Sequence, residues 1–140
     1  MINLKTILLN KNSCKSIWFM RQAGRYLPEF RKIRSQNTNF INLCLNSKLS
    51  SKITMQPIER FDLDSAIIFS DILMVPYALN QEVNFKKDHG PILSKFDIKK
   101  FFNNNETNYI KKLEPVYKAI KITRKILDKR KTLISFIGAP

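Results

Sequence analysis

Apolar and polar residues alternate along this chain with two periods, and each period predicts a different kind of element. Pro28 followed by Glu29 marks a helix start that runs to about Ser35, since proline is tolerated in a first helical turn. Further helical stretches are predicted over Phe40–Cys44 and Lys48–Met55, with Pro57 opening another turn that ends near Phe61. A short helix is predicted over residues 2–9. Ser65 to Phe69 is apolar almost throughout, without alternation, as in a strand buried on both faces. Glu82 to Lys86 alternates and reads as an edge strand closed by Gly90-Pro91. From Asn108 to Lys131 the period becomes helical: Ile110, Leu113, Val116, Tyr117, Ile120 and Leu127 form one stripe with lysines opposite. Pro115 interrupts that stripe and is read as its first turn or a kink. Thr132 to Ile137 is a second buried-type strand. Strand, helical connection and strand make a βαβ unit, which implies a parallel sheet with a right-handed crossover and an α/β class.

Composition narrows this picture. A hydrophobic share of 44% with ten Phe among 140 residues argues against disorder. The length suits one domain but is too short for a complete eight-stranded α/β barrel, which takes about 250 residues. The apolar runs Ser65–Phe69 and Ile72–Val75 are separated by Asp71, so neither approaches the roughly 20 residues of a membrane span. The apolar cluster near the start, Ile7-Leu8-Leu9, is too short for a secretory signal. A cytoplasmic chain without a membrane partner is expected. Cys14 and Cys44 form no metal-ligand spacing and read as reduced bystanders, Cys44 as core filler. The lone His89 sits in a turn and reads as an exposed loop residue.

The net charge is +14. Much of it follows from 18 Lys, which with 18 Ile and 13 Asn are residues of AT-rich codons. Fourteen of the 25 basic residues lie between Lys86 and Lys131, spread over loops and a helix rather than in one block. A non-catalytic basic module that binds nucleic acid is the alternative such a charge supports. No zinc-finger spacing, RNP-like aromatic pattern or basic-zipper repeat accompanies it. A positive cleft for a small polyanion fits the same charge.

Two features carry candidate chemistry. Arg21-Gln22-Ala23-Gly24-Arg25 places two guanidiniums four residues apart around a glycine, a spacing that lets both converge on carboxylates or phosphates. Surface arginines at this spacing are common, so the pair alone assigns nothing. Asp71 follows an apolar strand directly, where α/β proteins carry functional groups, although a capping or loop Asp occupies such positions as readily.

Together the two features sit in longer blocks. The run from Trp18 through Arg21-Gln22-Ala23-Gly24-Arg25-Tyr26-Leu27-Pro28 to Arg31 resembles the N-terminal motif of the uroporphyrinogen decarboxylase family. So do Thr54–Phe61, the stretch Leu63 to Leu73 with Phe69-Ser70-Asp71-Ile72-Leu73, and the ending Phe136-Ile137-Gly138-Ala139-Pro140. The resemblance runs in register over nearly all of residues 15–140. It implies that residues 1–140 are the N-terminal segment of a single (β/α)₈ TIM barrel domain, with Ser65–Asp71 as the first barrel strand and Thr132–Ile137 as the second. It also implies the activity: cofactor-independent decarboxylation of the four acetate side chains of uroporphyrinogen III to give coproporphyrinogen III in porphyrin and heme biosynthesis. No metal and no organic cofactor is implied, and a homodimer is. By the same resemblance Asp71 is the catalytic carboxylate, binding pyrrole N–H groups, while Arg21, Gln22, Ala23, Gly24, Arg25 and Arg34 bind substrate.

The sequence departs from the family pattern at Ser16, where proline is usual, and at Asn80, Asp88 and Ser135, where glycine is usual. None of these touches Arg21, Arg25 or Asp71. A zinc-dependent cobamide methyltransferase of the same superfamily is the enzyme alternative; its His/Cys ligand set is not in this sequence, and the intact Arg-Gln-Ala-Gly-Arg-Tyr block argues against it. Two parallel strands alone leave edges and an apolar face uncovered. The 140-residue chain by itself is therefore expected to be inactive and marginal in stability. Circular dichroism with hydrogen exchange checks this: a broad melt with weak strand protection is expected, and a cooperative melt with strong strand protection contradicts it.

Overall fold

A computed structural model describes residues 8–9, 16–86, 90–102 and 105–138. In chain order the elements are α1 (Pro28–Gln36), α2 (Phe40–Cys44), α3 (Ser47–Phe61), β1 (Ser65–Ile67), α4 (Met74–Ala78), β2 (Val83–Lys86), β3 (Gly90–Leu93), α5 (Ile98–Phe102), α6 (Glu106–Ile126) and β4 (Thr132–Ile134). The helix expected over residues 2–9 lies outside the described residues except for the helical Leu8 and Leu9, and Cys14, Asp88 and His89 lie outside them altogether.

β1 and β4 pair in parallel, with Ser65 opposite Thr132, Ala66 opposite Leu133 and Ile67 opposite Ile134. Everything from α4 to α6 forms the connection between them, so the βαβ reading of the sequence holds. β2 and β3 form a separate antiparallel hairpin, with Val83 opposite Leu93 and Lys86 opposite Gly90. Gly90 takes φ 74, which glycine adopts without strain. Asn80, where glycine is usual in the family, takes φ 69. Asn is among the few residues that accept this left-handed backbone, and Lys112 Nζ donates to its Oδ1.

Side-chain caps begin three of the helices. Asn39, Asn46 and Asn105 each accept a hydrogen bond from the backbone N–H three residues on, satisfying one orphan donor apiece. α3 runs unbroken through Pro57, where the sequence pattern suggested two pieces. The proline ring is buried between Gln56 and Ile58, so core packing offsets the lost hydrogen bond. α6 likewise runs through Pro115, and Lys111, whose carbonyl loses its helical partner, lies on the exposed side.

The buried stripe of α6 differs from the one the large apolar residues suggest. Ile110 and Tyr117 are exposed, while Leu113, Ala119, Thr123 and the flanking Leu127 are buried. Small residues let α6 approach α3 closely, and the Thr123 hydroxyl hydrogen-bonds to Ser51 Oγ at 2.9 Å across the contact. Three packed clusters follow. Leu27, Phe30, Ile33, Leu43 and Ile53 join the first three helices. Ile41, Cys44, Met74, Ala78 and Leu113 join α2, α4 and α6. Ile58, Leu63, Ala66 and Leu127 pack β1 against α3 and the end of α6. β1 is thus well covered on its helical side. β4 is only half-buried, and Phe136 and Ile137 beyond it are exposed.

Cys44 is 1% exposed, as expected of core filler. Burial pushes its thiol up to about 12, with the Asp71 carboxylate adding to the rise and the Arg34 guanidinium opposing it. A thiol raised above its unfolded value favours the folded state while protonated, and that contribution is lost as the pH climbs from 9 towards 12. At pH 8 its thiolate is about a thousandfold scarcer than that of a free thiol. In a Cys14→Ala chain, modification of Cys44 by a thiol reagent at pH 8 is expected to proceed only as fast as the chain opens. Labelling at the rate of an exposed thiol contradicts the buried placement.

Candidate active site

The loop that holds Arg21 and Arg25 is fixed to β1 by one side chain. Gln22 is 3% exposed, and its carboxamide faces the strand edge that points away from β4. Its Nε2 donates to Ser65 O at 2.7 Å, and its Oε1 accepts from Ile67 N at 3.0 Å. The same edge continues to Phe69, whose N–H donates to Thr54 Oγ1 at 2.8 Å and whose carbonyl accepts from Ser50 Oγ at 2.5 Å. The opposite edge belongs to β4: Thr132 N donates to Asp64 O at 3.1 Å and Ile68 N to Ile134 O at 2.9 Å. Below Ser65, Asp64 ties in the segment before the loop, its N–H reaching Ile17 O at 3.0 Å and its Oδ2 accepting from Ile17 N at 2.7 Å.

The loop backbone is held throughout. The Tyr26 hydroxyl donates to the Gln22 carbonyl, and the Tyr26 ring stacks on Phe61 at the end of α3, 6.4 Å between centroids. Burial and the nearby Glu29 carboxylate push the Tyr26 phenol above its ordinary range. Leu27 N donates to Gly24 O at 3.0 Å. Arg31 donates to Arg25 O at 2.8 Å. Ala23 packs against the Leu27–Phe30 cluster. Behind the loop, Arg60 of α3 grips Glu29 of α1 with two hydrogen bonds of 2.9 Å, which hold the Glu29 carboxyl below its usual range. The Arg21 and Arg25 side chains are exposed, and among the described residues neither guanidinium makes a hydrogen bond or ion pair. The result is a fixed backbone with two uncommitted guanidinium heads, suited to a ligand with several carboxylates.

Asp71 stands just past the C-terminal end of β1. Its Oδ1 accepts from Leu73 N at 2.8 Å and its carbonyl from Met74 N at 3.2 Å, which turns the chain into α4. Its Oδ2 receives no hydrogen bond among the described residues. A Cβ placed on Gly138 would lie 3.4 Å from Ile72 O, so the segment after β4 passes close to the backbone beside Asp71. The segments that follow the two parallel strands therefore come together next to Asp71, at the strand ends where barrel enzymes assemble their sites.

The candidate residues are not equivalent. Arg34 is committed locally: its NH1 donates to Asn37 O and, at 2.7 Å, to Thr38 O, and its guanidinium lies 5.7 Å from the Phe40 ring centroid. It closes the C-terminal end of α1. The Gln22 side chain is turned onto β1 and away from solvent. Gly24 serves the turn through its carbonyl. Thr54 and Ser50, which hold Phe69 two residues before Asp71, escaped the sequence reading; hydroxyls on a helix carry no local mark of a strand partner. Among the described residues no group of three His, Cys, Asp or Glu side chains is placed to hold a metal ion.

Comparison with known proteins shows the family. The family model described as uroporphyrinogen decarboxylase (URO-D) matches residues 5–140. A uroporphyrinogen decarboxylase of Rickettsia felis is 47% identical over 133 residues, which cover 94% of this chain and 38% of that protein. One of Rickettsia canadensis is 48% identical over 133 residues, covering 94% of this chain and 39% of the relative, and one of Brucella ovis is 44% identical over 124 residues, covering 89% and 36%. The chain thus spans less than two-fifths of the length of these relatives. Among solved structures, a methyltransferase from Methanosarcina mazei superposes with a TM-score of 0.67 at 16% identity, over 96% of this chain and 42% of that one. That likeness concerns the fold alone, and it agrees with β1 and β4 being neighbouring strands at the start of a (β/α)₈ barrel. With the arginine loop, the strand and the following aspartate all in place, the chain belongs to the uroporphyrinogen decarboxylase family.

Proposed function

We propose that the complete protein to which this segment contributes decarboxylates uroporphyrinogen III at its four acetate side chains, giving coproporphyrinogen III, and that residues 1–140 are the N-terminal segment of its single barrel domain. The observation that carries the reading is the Gln22 bond pair, which brings the Arg21–Arg25 loop onto the strand leading to Asp71. Arg21 and Arg25 bind carboxylates of the substrate through exposed guanidiniums on a fixed backbone. Asp71 uses its unoccupied oxygen to accept N–H bonds from the pyrrole rings, for which an acceptor-only group is suited.

The chemistry needs no external electron sink. A proton added to a pyrrole ring makes that ring cationic. When the acetate C–C bond then breaks and carbon dioxide leaves, the electron pair flows into the cationic ring. A second protonation, at the exocyclic carbon, gives the methyl group, and loss of the ring proton restores the pyrrole. The Asp71 carboxylate stabilises the cationic stage electrostatically. The reading extends to a cytoplasmic homodimer without a metal or organic cofactor. No described helix is long and apolar enough to cross a membrane.

The test is a fused polypeptide in which this chain replaces the matched segment of the Rickettsia felis relative. The fusion with the unaltered chain is expected to turn over uroporphyrinogen, and an inactive but folded fusion contradicts the reading. Asp71→Asn is expected to lower kcat by about a hundredfold or more while the melt is unchanged. Arg21→Ala is expected to raise KM about tenfold or more, since a charge-assisted hydrogen bond is lost. Unchanged turnover in Asp71→Asn contradicts the role given to that carboxylate.

A further inference from the structure

We propose that Tyr26 is the positioning residue of the arginine loop: its side chain folds back across the bend, bonds the Gln22 carbonyl and so sets the directions in which Arg21 and Arg25 leave the backbone. Its effect on catalysis rests on the activity proposed above, and its effect on the loop on geometry alone.

A tyrosine at a surface ordinarily keeps its polar tip in water. The Tyr26 residue is 55% exposed, yet its hydroxyl turns back along the chain and donates to the carbonyl four residues earlier. No helix supplies this contact, because residues 22–27 precede α1. The bend is made by a turn in which Leu27 N donates to Gly24 O at 3.0 Å. A Cβ placed on Gly24 would stand 3.5 Å from the Tyr26 ring, so the ring lies against the loop backbone. The Phe61 ring, at the end of α3, stacks on Tyr26 with 6.4 Å between centroids. Arg60, next to Phe61, holds Glu29 at the start of α1 with two bonds of 2.9 Å, which ties α3 to α1 beside the ring. Tyr26 is therefore the small core around which the loop is wrapped.

The two arginines flank this closure. Arg21 directly precedes the residue whose carbonyl Tyr26 holds, and Arg25 directly precedes Tyr26 itself. The Arg25 carbonyl is held in turn by Arg31 at 2.8 Å. The backbone direction at both arginines is thereby set while their side chains stay exposed. A polycarboxylate then meets two preorganised cations, and less ordering free energy is lost on binding. None of these contacts uses a backbone group of β1, so they do not depend on which strand pairs along it in the complete barrel.

The experiment uses the same fused polypeptide with two readouts. Tyr26→Phe keeps the ring, its stack on Phe61 and its contact with Gly24, and removes the hydroxyl alone. It is expected to raise KM about fivefold, as the loss of one hydrogen bond does, with a smaller change in kcat. In an Arg21→Ala background the same substitution is expected to raise KM only about twofold, because one of the two positioned cations is gone. A residue that serves the fold alone gives the same ratio in both backgrounds. An equal rise in both backgrounds, an unchanged KM in the single variant or a loss confined to kcat overturns the proposal. The second readout needs no activity. Trypsin cleavage after Arg21 and Arg25 is expected to accelerate about fivefold in Tyr26→Phe, while cleavage after Lys52 within α3 stays slow. Equal cleavage of the loop in both proteins overturns the proposal. If the unaltered fusion folds but has no turnover, the activity reading fails and the trypsin comparison decides the role of Tyr26.

Discussion

A strand presents hydrogen-bonding groups along both edges, and a buried strand must have both satisfied. β1 meets this requirement in two different ways. One edge pairs with β4 in an ordinary parallel ladder. Along the other, in this segment, three side chains reach four of its groups: the Gln22 carboxamide at Ser65 and Ile67, the Thr54 hydroxyl at the Phe69 N–H and the Ser50 hydroxyl at the Phe69 carbonyl. The placement of the arginine loop, of α3 and of Asp71 all follow from this edge.

The arrangement joins groups far apart in sequence. Gln22 reaches over 43 residues to Ser65, and Ser50 over 19 to Phe69. The loop brings the positive charge and the strand brings the carboxylate. If the guanidiniums are to bind a polycarboxylate while Asp71 binds N–H donors on the same molecule, their separation has to be fixed before the ligand arrives. Hydrogen bonds from buried side chains to a strand edge achieve that fixing more rigidly than loop packing alone, because each bond broken leaves an unpaired backbone group. The net charge of +14 has little part in this proposal, which rests on two arginines whose backbone is held and whose heads are not.

Much of the fold was legible in the sequence because each element carried a local signal. Pro28 marked the first turn of α1, the unbroken apolar run marked β1, and the Thr132–Ile137 run marked β4. Pro57 and Pro115 misled, because helix propensity is local while the packing that carries both helices through them is not. The buried face of α6 was read correctly at Leu113 and the flanking Leu127 but misread at Ile110 and Tyr117 for a related reason: close approach to α3 required Ala119 and Thr123, and the two larger side chains were left outside. At the candidate site, Arg21, Arg25 and Asp71 stand in motifs from which their roles are proposed. The work of Gln22, Thr54 and Ser50 was not legible, because a polar side chain that completes a strand edge has no periodic signature. It becomes visible only when the strand and its registry are known.

The most direct measurement is amide hydrogen exchange along β1 in this segment. Ile68 N–H pairs with β4, while Ile67 and Phe69 N–H face the other edge. Side-chain closure of that edge predicts that Ile67 and Phe69 exchange about as slowly as Ile68. It further predicts that only Ile67 becomes fast in Gln22→Met and only Phe69 in Thr54→Val. If Ile67 and Phe69 exchange as freely as exposed amides, or stay equally protected in both variants, a different group closes the edge and the account of the site is wrong.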